Sequence, residues 1–94
     1  MKAYPKSKET TTTTGARRRL YRLDPPMVRA YGTTEYVVVT SLSLAPDTRL
    51  PEALIFEANQ YGKITDMDHP LIGSNRVNDS HEYALKNAGY EIVG

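Results

Sequence analysis

The sequence predicts a small α+β domain: an antiparallel sheet of about four strands, one short C-terminal helix and an extended basic N-terminal arm. Three observations carry that prediction. Short apolar or β-branched runs recur at residues 17–23, 35–44 and 53–58, with a brief return at 63–66. Only residues 79–88 show helical spacing of apolar positions. Residues 1–22 hold seven bases against Glu9 alone, a net of +6, whereas residues 23–94 hold five bases against ten acids, a net of −5. At 94 residues the chain has room for one domain, expected over 17–94, with residues 1–16 as a flexible, Thr-rich basic arm.

Each element has its own reason. Residues 1–15 are poor in apolar side chains and rich in Thr, Lys and Ser, too little to offset the entropy of ordering them. The β-branched run Thr10–Thr14 suits the arm to join a sheet edge as an extended strand. Residues 17–23 read as a strand flanked by arginines, suited to an edge. Asp24-Pro25-Pro26 is expected to end it, since neither proline can donate to a ladder. After a turn at Tyr31-Gly32, residues 35–44 form the strongest strand. Val37 and Val39 oppose Tyr36, Val38, Thr40, Leu42 and Leu44 across it, so it should be covered on both faces there.

Ala45-Pro46-Asp47 breaks that strand. Residues 53–58 and 63–66, joined by Asn59-Gln60-Tyr61-Gly62, form the best hairpin candidate. Pro70, Gly73 and Ser74 mark a loop over 67–78. Asp79, with Glu82 three residues on, matches a capping box. His81, Ala84, Leu85 and Ala88 mark the buried helix face, and Gly89 stops the helix. Residues 90–93 end as a strand or an extended tail.

Composition narrows the function. The absence of Cys removes disulfides, thiolate nucleophiles and Cys-ligated metals. The longest apolar run, Tyr36 to Val39, is far short of the ~20 residues of a membrane-spanning helix. No basic stretch leads into an apolar core near Met1, so a cytoplasmic protein with no membrane association is expected. Asp66, Asp68, His69, His81 and Glu82 have metal-ligand character, but Asp-x-Asp-His matches no ligand spacing with a mechanism behind it, and turn capping explains it better. No nucleophile elbow or phosphate-binding glycine pattern is present. The expectation is a non-enzymatic protein with no cofactor and no metal.

The best functional signal is Arg17, Arg18, Arg19, Tyr21 and Arg22, a basic cluster for a protein or nucleic-acid partner. Tyr4 and Tyr21 are candidates to stack on bases. In a strand, Arg17 and Arg19 face opposite to Arg18 and Arg22, so no single face carries all four. The plain alternative is a charged edge strand lying against the acidic body.

Glu35-Tyr-Val-Val-Val, Ala53-Leu-Ile-Phe-Glu-Ala-Asn, Tyr61-Gly-Lys-Ile-Thr-Asp, Leu71-Ile-Gly-Ser, His81 and Ala88-Gly-Tyr-Glu-Ile-Val-Gly together form a wider pattern. Over residues 17–94 it resembles small uncharacterised proteins of actinobacteriophages, mycobacteriophages especially. Met67 stands where those proteins often carry an aromatic. The resemblance implies an accessory protein acting in the host cytoplasm and binding a host or viral protein, and it brings no catalytic residues. The alternatives are nucleic-acid binding through residues 17–22 and a minor virion component docked by its arm.

Overall fold

The computed structural model describes residues 1–13, 15–30, 32–42 and 51–94. It is a mostly-sheet fold, about 49% strand. The strands are β1 (Lys2–Pro5), β2 (Thr10–Thr11), β3 (Arg17–Arg29), β4 (Gly32–Leu42), β5 (Glu52–Ala58) and β6 (Glu91–Ile92), with the helix α1 (His81–Asn87) before β6. The sheet order is β5-β4-β3-β1-β6, and β2 also pairs with β3.

This corrects the expected antiparallel sheet of about four strands with an extended arm. Six strands are present among the described residues, and β1 pairs parallel with β6, which makes the sheet mixed. The basic arm supplies two of the strands. Ala3, opposite Leu23, is fully buried, and Val93 donates to its carbonyl at 3.0 Å. Backbone pairing on both sides thus orders a segment whose own apolar content is too low to do so. The end of the chain, left open between strand and tail, is a strand.

The expected stop at Asp24-Pro25-Pro26 is also corrected, because β3 runs through both prolines to Arg29. Its register against β4 shifts between Arg22 and Met27. The prolines therefore lie where no ladder donor is needed, and the Pro25 carbonyl accepts the Tyr90 hydroxyl at 2.7 Å. The return strand at 63–66 shrinks to a single bridge between Ile64 and Ala58. The strand ends at Ser43 and Leu44, the Ala45-Pro46-Asp47 break, Tyr31 and Thr14 lie outside the described residues.

Two clusters sandwich the sheet. On one face Tyr21, Leu23, Val37, Val39 and Ile55 pack with Ala84 and Leu85 of α1. On the other, Leu20, Val38 and Ala58 pack with Tyr36 and Ile64, with no helix over them among the described residues. The expected two-sided cover of β4 is seen here, with Val37 and Val39 inside one cluster and Val38 inside the other.

Helix α1 is capped one residue later than its spacing suggests. Ser80 Oγ accepts from the Tyr83 amide at 3.2 Å, which frees Asp79 for another role. At the other end Tyr90 N donates to Leu85 O and Gly89 N to Lys86 O, with Gly89 at φ +94°. This is a Schellman closure, and burial of Tyr90 beside Leu85 adds its apolar clasp.

Candidate binding face

The period of two along β3 divides the basic cluster between the two faces of the sheet. Arg17 and Arg19 share the helix side with Tyr21, while Arg18 and Arg22 flank Leu20 on the helix-free side. On the helix side the guanidiniums have structural work. Arg17 Nη2 reaches Asp79 Oδ2 at 3.1 Å, across the N-terminal approach to α1. Arg19 Nε donates to Ser7 O at 2.8 Å, and its guanidinium lies 6.0 Å from the centre of the Tyr21 ring.

Tyr21 is 2% exposed, so it cannot stack on a base. Its hydroxyl lies 3.1 Å from His81 Nδ1, with the two rings edge to face. Burial raises the Tyr21 hydroxyl above its usual range, an effect that nearby Arg19 opposes. Burial also lowers the His81 pKa and favours neutral imidazole.

Arg18 and Arg22 behave differently. Neither forms an ion pair among the described residues. Arg22 lies over the Tyr4 ring at 4.9 Å, a cation–π contact that leaves its charge available. The register sets Arg22 opposite both Tyr4 and Tyr36, and Arg18 opposite Thr40. Arg18 Nε and Thr40 Oγ1 are buried atoms with no hydrogen-bond partner among the described residues.

The turn after β5 extends the same face. Asn59 Oδ1 accepts from the amides of Tyr61 and Lys63 at 2.9 and 3.0 Å. Gly62, at φ +87°, lets the turn lie over Leu20. The result is a cavity of about 540 Å³, floored by Leu20, Val38 and Ile64 and bordered by Arg18, Tyr61 and Lys63. Tyr61 is 84% exposed. Asp24 and Glu91, both opposite Lys2 at the far end, and Glu52, 3.6 Å from Arg76, are strand carboxylates on this side.

The structure thus joins Arg18 and Arg22 with Tyr4 and directs Arg17, Arg19 and Tyr21 to the other face, although part of Arg19 also borders the cavity. Sequence reasoning missed Tyr61 and Lys63 as members of this face. Their only sequence signal was a turn that could fold toward either side of the sheet.

The residues with metal-ligand character do not converge. Asp66 Oδ1 accepts from the Asp68 amide at 3.0 Å, and its Oδ2 meets His69 Nδ1 at 3.1 Å. The Asp68 amide, with His69 beside it, holds the Asp66 carboxyl below its usual range. His81 sits in the core at Tyr21. No group of three His, Asp or Glu side chains is arranged to hold a metal among the described residues, and no helix there is long and apolar enough to cross a membrane. No known protein family, characterised protein or solved structure matches the chain.

Proposed function

We propose that this is a non-enzymatic binding protein whose helix-free sheet face takes a single-stranded nucleic acid. The observation that carries the reading is the pattern on that face. Arg18, Arg22 and Lys63, outside any ion pair among the described residues, are interleaved with Tyr4, Tyr36 and Tyr61. Cations that follow a phosphate backbone, with aromatic rings for successive bases, are the elements of sequence-tolerant strand binding. The resemblance of residues 17–94 to small actinobacteriophage proteins supports an accessory role in an infected cell.

A protein partner is the second reading, favoured by exposed Tyr61 and Met67 beside the cavity. Strand addition is its weaker form. The outer edge of β5 is taken up by Leu71 N to Ile55 O at 2.7 Å, Thr65 N to Glu57 O at 2.9 Å and the Ala53–Asn75 pair. The edge strand β6 is only two residues long.

Fluorescence anisotropy with single-stranded DNA and RNA of about ten nucleotides tests the proposal. Three phosphate contacts give a salt slope of about −2, or roughly a 20-fold loss of affinity between about 50 and 200 mM salt. Arg18→Ala with Arg22→Ala should remove most of that slope. Lys86→Ala, on the exposed side of α1, should leave it unchanged. Absence of binding at the lower salt refutes the proposal and favours the protein partner.

A further inference from the structure

We infer that the cavity beside the 59–63 turn holds one nucleotide unit, its base inserted against the apolar floor and its phosphate on Arg18 and Lys63. The inference rests on the strand-binding reading above and gives that strand a fixed point on the face.

Size and chemistry support it. About 540 Å³ lies within the range of small-ligand sites, and the floor of Leu20, Val38 and Ile64 is apolar. Tyr61 and Lys63 project from a turn already tied at both amides to one side-chain oxygen, Asn59 Oδ1. Binding therefore needs little ordering of the backbone that carries them. No carboxylate lines the cavity among the described residues, whereas Arg18, Arg19 and Lys63 all do, so its charge suits an anion. An aromatic ring, an apolar floor and a cationic border together match a base with its phosphate.

The test compares two labelled probes of about ten units, oligothymidylate and an abasic oligomer of the same length, on wild type, Tyr61→Ala, Tyr61→Phe and Arg22→Ala. Tyr61→Ala should weaken the oligothymidylate about tenfold, as loss of one stacking contact does, and leave the abasic probe nearly unchanged. Tyr61→Phe should bind both probes as wild type does. Arg22→Ala, remote from the cavity, should weaken both probes alike. Since Tyr61 is 84% exposed, its loss leaves the core intact. If wild type binds but Tyr61→Ala affects neither probe, or both equally, the nucleotide cavity is overturned while strand binding stands. If wild type binds neither probe, both fall together.

Discussion

Gly73 offers the sharpest check on how the helix seats. It lies in the loop between β5 and α1 at φ +98°, a conformation that costs an L-residue about 1–2 kcal/mol. A methyl group added there would sit 2.5 Å from Ala84 O, 2.9 Å from Ala88 Cβ and 3.0 Å from Ala88 N. Two of these three are backbone atoms of the helix and its cap, so no side-chain rotation relieves the contact. Overpacking of this kind adds about 1–3 kcal/mol, which puts Gly73→Ala at about 2–5 kcal/mol in all. For a chain of 94 residues, a loss near the middle of that range lowers Tm by roughly 15 °C or more.

Gly62→Ala is the matched control. It has the same sign of φ, +87°, but its methyl would meet only the Leu20 side chain, Cδ2 at 3.7 Å and Cβ at 4.0 Å. It should therefore lose only the conformational contribution, about 1–2 kcal/mol. Urea and thermal melts of both variants separate the two effects. Equal destabilisation of Gly73→Ala and Gly62→Ala would refute the close seating of α1 on this loop.

Three further expectations follow from the same packing. Glu57→Ala removes an acceptor shared by Arg29 at 2.6 Å and Thr34 Oγ1 at 2.9 Å; it should cost about 1–3 kcal/mol in a urea melt, and a loss below about 0.5 kcal/mol would deny that network. Because burial lowers the His81 pKa from its unfolded value of 6.5, the unfolded chain binds more protons, so stability should be full above that value and decline as pH falls through it and below. His81→Leu should flatten that decline in melts across the window; an unchanged slope contradicts a buried neutral His81. The amides of Lys6, Glu91 and Val93, donors to Leu20 O, Met1 O and Ala3 O, should exchange slowly with solvent, whereas a free arm would leave that of Lys6 unprotected.

The elements legible in the sequence were those specified by local pattern. Alternation along residues 36–42 placed Val37 and Val39 opposite Val38, and helical spacing with Gly89 fixed α1 and its closure. β1 was not legible. Lys2-Ala3-Tyr4-Pro5 has a single small residue to bury, and both its partners are remote, β3 about twenty residues on and β6 near residue 91. The prolines of β3 misled for a related reason, since a register shift seen only in the paired sheet makes them tolerable. At the binding face, the opposed directions of Arg17/Arg19 and Arg18/Arg22 followed from the period of two alone. Which pair would lie under the helix did not, because that depends on where residues 79–90 dock. Tyr21 shows the limit most plainly: parity grouped it with Arg17 and Arg19, yet its burial required α1 to place His81 against it.

The parallel pairing of β1 with β6 has a mechanical consequence. Tension applied outward at residues 1 and 94 pulls these neighbouring strands along their length in opposite directions. Glu91 N to Met1 O and Val93 N to Ala3 O lie side by side across that line, so both are sheared at once instead of being peeled in turn. Pulling instead on residue 1 against the turn at 59–62 would load the sheet across its strands, where hydrogen bonds break in succession. The same molecule should therefore yield at a higher force in the first direction than in the second.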